Sequence, residues 1–116
     1  MKQDGRGVDY ACIVQQGQAA EREHAALAAG LQRIGRDFFG DEPDAVKIQW
    51  TSLAPGHAWT AGEPSRSSIV VRSVPVGFPD DRREAFLRQV CELWVEVTGC
   101  TLDEIVATAY DGPLPL

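Results

Sequence analysis

The chain of 116 residues has a net charge of −6, 44% hydrophobic and 24% charged residues, the balance of one globular domain. It lacks the basic footprint of a nucleic-acid binder, an apolar run long enough to span a membrane and the apolar core of a secretion signal. The expectation is a cytoplasmic protein without a nucleic-acid or membrane partner, and its three cysteines, Cys12, Cys91 and Cys100, lack metal-ligand spacing and read as free thiols.

Residues 1–7 are polar and read as an extended arm. Residues 8–15, VDYACIVQ, alternate β-formers with small or polar residues and predict a strand that ends at Gly17. Residues 19–39 predict a helix, because Leu27, Leu31, Ile34 and Phe38 form one apolar stripe. Gly40, Asp41 and Pro43 stop it. Residues 46–53, VKIQWTSL, form the next strand, with Val46, Ile48 and Trp50 on one face and Lys47, Gln49 and Thr51 on the other. Pro55-Gly56 breaks it, and His57, Ala58 and Trp59 sit in a loop or short hairpin.

Residues 68–76, SIVVRSVPV, predict a strand, with Arg72 assigned to its charged face. A second helix follows to about residue 97, opened by Pro79, Asp80 and Asp81. It turns Phe86, Leu87, Val90, Cys91, Trp94 and Val97 inward and ends at Gly99. Residues 103–110, DEIVATAY, close the domain as a strand. The halves match: Gly17 with Gly77 and Leu27 with Leu87 at one offset, then Gly40 with Gly99 and Asp44 with Asp103 after a one-residue slip. A duplicated βαβ unit is the simplest account, with parallel strands in each unit. The predicted class is α+β, two βαβ repeats giving a four-stranded mixed sheet with two helices on one face. In numbers, the arm is 1–7, the first repeat 8–53, a connector 54–67 and the second repeat 68–111.

The strand V-K-I-Q-W-T, the Pro-Gly-His turn and the later Gly62-Glu63 resemble the end of a 4-oxalocrotonate tautomerase unit. The strand, glycine and helix before them match that unit in spacing, and the second half resembles another copy. The chain is therefore similar to the long, fused members of the tautomerase superfamily over residues 8–110. The resemblance implies a homotrimer, a small carboxylated keto or enol acid as ligand, and no cofactor. It also implies a proline amine as base, acting from an apolar pocket near cations.

Carried over by position, that proline falls on Val8, whose nitrogen is an amide because residues precede it. The family's arginine after the strand-ending glycine falls on Gln18, and on Phe78 in the second copy; its strand cation falls on Lys47. The remaining catalytic candidates are Lys47 and His57. The substrate-binding candidates are Lys47, Arg72, Trp59 and Tyr110. No metal site, Ser-His-Asp order, P-loop or dinucleotide fingerprint is present in the sequence. Two readings stand beside the enzyme: a non-catalytic metabolite- or protein-binding member of the fold, and a ferredoxin-like regulatory module, which predicts a dimer.

Overall fold

The computed structural model describes residues 7–115. The arm expected for residues 1–7 therefore falls almost wholly outside the described residues. In chain order the elements are β1 (Tyr10–Gln15), α1 (Ala19–Arg22), α2 (His24–Phe39), β2 (Ile48–Leu53), β3 (Trp59–Thr60), β4 (Glu63–Pro64), β5 (Ser68–Val74), α3 (Asp80–Thr98) and β6 (Ile105–Asp111). A 3-10 turn precedes the closing strand of each repeat, Pro43–Ala45 before β2 and Leu102–Glu104 before β6. Asp44 and Asp103, matched in the sequence, occupy these two turns.

The four long strands form one mixed sheet in the order β2-β1-β5-β6, while β3 and β4 make a separate two-stranded hairpin. β1 runs parallel to β2 and β5 parallel to β6, and the repeats join through the antiparallel pair β1 and β5. The two strands of each βαβ unit are thus neighbours. A ferredoxin-like domain is built from split βαβ units, so this topology sets that reading aside.

Alternation sorts every strand residue to one of two faces. Tyr10, Cys12 and Val14 of β1 and Val70 of β5 turn inward, where they pack on Leu27, Leu31 and Ile34 of α2 and on Phe86, Val90, Leu93 and Trp94 of α3. The helices approach closely at Gly30, where an added Cβ would run into the Leu93 side chain. Each long helix ends on a left-handed glycine, Gly40 (φ 68°) and Gly99 (φ 73°), a conformation that suits glycine because it has no Cβ. The first predicted helix is broken at Glu23, whose φ of −101° and ψ of 21° leave helical geometry. The N-terminal turn is tied separately, with the Gly17 N–H donating to Glu21 Oε1 at 2.9 Å.

Two titratable groups lie in this core. Burial pushes the Tyr10 phenol up to about 12, with Arg72 opposing the shift, and burial pushes the Cys12 thiol up to about 12. In the unfolded chain these groups ionise near their ordinary values of about 10 and about 8.5. The unfolded state therefore releases their protons first as pH rises. Stability should be complete below about pH 8.5 and fall progressively up to about pH 12. Melting temperatures followed by circular dichroism should show this decline, and Tyr10→Phe should flatten its upper part.

Candidate active site

Backbone pairing brings four residues level with one another at one end of the sheet. The Asp9 N–H donates to the Lys47 carbonyl at 2.8 Å, and the Ser73 N–H donates to the Asp9 carbonyl at 2.9 Å. Ser73 is paired with Tyr110 in the β5–β6 ladder. Tyr10 and Arg72, one step along, face the helices, so by alternation Ser73 and Tyr110 face the open side, with Asp9 and Lys47 level with them just before β1 and β2. The Lys47 N–H also donates to Asp9 Oδ2 at 2.9 Å, which fixes the carboxyl group over the start of β1. The Ser73 hydroxyl donates to the Gly112 carbonyl at 2.7 Å and ties the chain after β6 to the same corner.

Beside this row lies a cavity of about 310 Å³, walled by Val8, Asp9, Arg72, Val74, Pro75, Pro113 and Leu114 among others. Its surface is mainly apolar. Asp9 and Arg72 are the titratable side chains that line it. Lys47 stands one strand over from Asp9, about 5 Å away between backbones, and its side chain is exposed.

His57 and Trp59 are elsewhere. Lys47 precedes β2 and the hairpin follows it, so the six residues of β2 put about 20 Å between them. The His57 N–H closes a turn onto the Ala54 carbonyl at 3.0 Å. Trp59 is 62% exposed, with its indole N–H donating to the Gly56 carbonyl at 2.7 Å. Within one chain, therefore, Lys47 and Tyr110 stand at one end of the sheet and His57 and Trp59 at the other.

Arg72 is not on the charged face that the sequence reading assigned to it. It is 5% exposed and points under the helices. Its Nη1 and Nη2 donate to the two carboxylate oxygens of Asp41 at 2.6 and 3.2 Å, and its Nε donates to the Ser73 carbonyl at 2.7 Å. The guanidinium lies 4.2 Å over the Phe39 ring and 4.8 Å over the Tyr10 ring. Burial works against its charge, but the hydrogen bonds and charge of Asp41 and the neighbouring Tyr10 outweigh that, and its pKa lies above the usual arginine value. Gly35 makes the room: a Cβ there would collide with Asp41 Oδ2. Arg83, also at this end, donates to Asp111 Oδ1 at 2.9 Å. Two of the local cations are thus already neutralised, and among the described residues Lys47 has no carboxylate partner for its ammonium.

The matching end of the second repeat, at Ser68, is smaller. Gln18, Arg66, Ser68, Trp94, Thr98 and Glu104 enclose about 100 Å³, with Arg66 and Glu104 paired at 3.3 Å. Asp9 is the residue that the sequence reading passed over. It follows the Val8 position directly and lies just before β1.

No protein-family model matches the chain, and neither does any curated protein. Solved structures do match. Native Ps01740 is 29% identical over 90% of this chain and 93% of that one, with a TM-score of 0.81. Pt0534 inactivated by 2-oxo-3-pentynoate is 20% identical over 90% and 85%, with a TM-score of 0.78. The asymmetric trimer of the wild-type fused 4-OT called F6 is 24% identical over 90% and 85%, with a TM-score of 0.76. The mixed α+β fold of this chain is the fold of these three structures.

The Arg72–Asp41 pair generates a stability prediction. Asp41→Ala strands a buried guanidinium and should cost about 3–5 kcal/mol. The double variant Arg72→Met/Asp41→Leu removes both charges and should be markedly more stable than Asp41→Ala alone. Urea unfolding midpoints of the three proteins check the order.

Proposed function

We propose that this chain is a member of the tautomerase superfamily that takes a small carboxylated keto or enol acid at the open-face end of β1, without an N-terminal proline as its base. The observation that carries the reading is the joint placement of Lys47, Asp9 and Tyr110 beside a mainly apolar cavity, on a fold shared with the fused 4-OT and with Pt0534. The 2-oxo acid that inactivates Pt0534 is a molecule of the proposed class. Lys47 supplies the charge for a carboxylate, Tyr110 a hydroxyl and a ring edge at the same level, and the Val8, Val74, Pro75 and Leu114 side chains an apolar wall.

Assembly belongs to the same reading. The open face presents Ala11, Ile13, Ile69, Val71 and Val106, and Ile69 and Val106 are 36% and 49% exposed in the single chain. A small domain gains by covering such a face, and a homotrimer packed sheet to sheet does so. The hairpin carrying His57 and Trp59 is then free to reach a neighbouring chain, which gives those residues a place in the assembly rather than in their own chain's pocket.

The proposal makes two predictions. Sedimentation of the intact chain should give the mass of three copies, and Ile69→Asp should reduce it to that of one, because three buried carboxylates would converge on the covered face. Ketonisation of phenylenolpyruvate should be measurable with the intact chain and should suffer in KM when Lys47 becomes Ala. A variant that begins at position 8 with proline serves as the comparison. Activity in that variant alone favours the second reading, a protein that keeps the pocket for binding and has lost the base. Silence of both proteins overturns the functional assignment and leaves the fold.

A further inference from the structure

The cavity at the start of β1 offers few groups that can move a proton. Its polar lining comprises Asp9, Arg72, Ser73 and backbone. Arg72 is held by Asp41 and does not give up a proton near neutrality. The Ser73 hydroxyl is committed to the Gly112 carbonyl, and no histidine or lysine stands beside it in the row to activate it. The Asp9 carboxylate remains. One of its oxygens, Oδ2, is occupied by the Lys47 N–H at 2.9 Å, which orients the group. His57 is at the other end of β2, and Lys47 lies on the flank rather than in the cavity wall.

From this arrangement we propose that Asp9 is the general base and acid of the site and that Lys47 is the carboxylate anchor. The inference rests on the functional reading above and assigns its chemistry. The division of labour follows from charge. A lysine ammonium is suited to hold the substrate carboxylate and, being charged, cannot accept a proton. A carboxylate can. The two residues lie level just before adjacent strands, joined by the Asp9 N–H to the Lys47 carbonyl, so an acid whose carboxylate is on Lys47 brings its second and third carbons toward Asp9.

The step balances without a co-reactant. In an enol acid, Asp9 takes the proton of the hydroxyl at the second carbon. The O–H bond breaks and its electron pair becomes the second bond of the new carbonyl. The former C=C pair takes a proton at the third carbon from the now protonated Asp9, forming a C–H bond. One proton has moved from oxygen to carbon, no electrons are gained or lost, and Asp9 returns to carboxylate. Val8, Val74, Pro75 and Leu114 provide the low-polarity surroundings in which such a transfer competes with solvent.

The experiment uses the full-length chain with phenylenolpyruvate, and in parallel follows exchange of the methyl protons of pyruvate for deuterium by NMR. Asp9→Asn keeps an oxygen that can accept the Lys47 N–H but cannot act as a base. It should lower kcat by about 100-fold or more, in the range of one general acid–base group, with KM changed by no more than about threefold. Lys47→Ala should show the opposite split, a KM raised at least about tenfold with the smaller effect on kcat. Asp9→Glu should restore part of kcat. Circular dichroism and sedimentation of Asp9→Asn should match the parent. An Asp9→Asn protein that keeps more than about a tenth of kcat overturns the assignment of the base while leaving the function standing. Silence of the parent chain in both assays overturns the function and the base together.

Discussion

Arg72 crosses from the second repeat into the first, and much of the domain is arranged around the crossing. Its guanidinium leaves β5, passes between the rings of Tyr10 and Phe39, and ends on Asp41 at the exit of α2. A bare charge in this position would carry a desolvation cost of several kcal/mol. Two carboxylate oxygens, a backbone carbonyl and two aromatic faces offset it. Bidentate geometry at this degree of burial also specifies orientation. Gly35 has no side chain where Asp41 needs space, and Gly40 turns the chain so that Asp41 can point back. The pair therefore fixes three things at once: how β5 sits against β1, where α2 ends, and the path that leads into β2.

That fixing reaches the site through the backbone. Arg72 donates to the Ser73 carbonyl, Ser73 donates to Asp9, and Asp9 donates to Lys47. The row of Lys47, Asp9, Ser73 and Tyr110 is thus set by backbone hydrogen bonds that continue the ladders past the strand ends. Ser73 and Tyr110 lie within β5 and β6, and Lys47 and Asp9 lie just before β2 and β1 and are held to the sheet by backbone hydrogen bonds. The hairpin with His57 and Trp59 has no comparable support. Its two strands pair over two residues each, and its large apolar side chain lies in solvent in the single chain.

The fold was legible in the sequence because its boundary signals occur twice. Glycines recur at strand and helix ends, and the aspartates of the two 3-10 turns recur with them, so each repeat vouches for the other. The interruption at Glu23 was not legible, since Ala-rich surroundings favour helix on both sides of it. Arg72 was placed on the wrong face for a specific reason. In SIVVRSV both parities carry apolar residues, Val70 and Val74 on one and Ile69 and Val71 on the other, so alternation has no contrast to read. A charged residue was then assigned outward, the usual rule for arginine. Only the partner, Asp41, which is thirty-one residues away, reverses that rule. The separation of His57 from Lys47 could have been read from strand length alone, because nothing folds a six-residue strand back on itself.

What can replace an amine at the start of β1 depends on the side chains that reach that corner. In the family that the sequence resembles, the reacting nitrogen is the chain terminus itself, a main-chain atom that needs no side chain to reach the open face. Once residues precede position 8, that nitrogen is an amide and its lone pair is delocalised into the carbonyl. On the proposed function, proton transfer then falls to a side chain that lines the cavity. Position 8 has the parity of Tyr10 and Cys12, which face the helices. Position 9 has the parity of Ala11 and Ile13. Side chains of both parities reach the cavity at this corner, Val8 and Arg72 as well as Asp9 and Ser73, and among them the proposal falls on Asp9, whose carboxyl group accepts the Lys47 N–H.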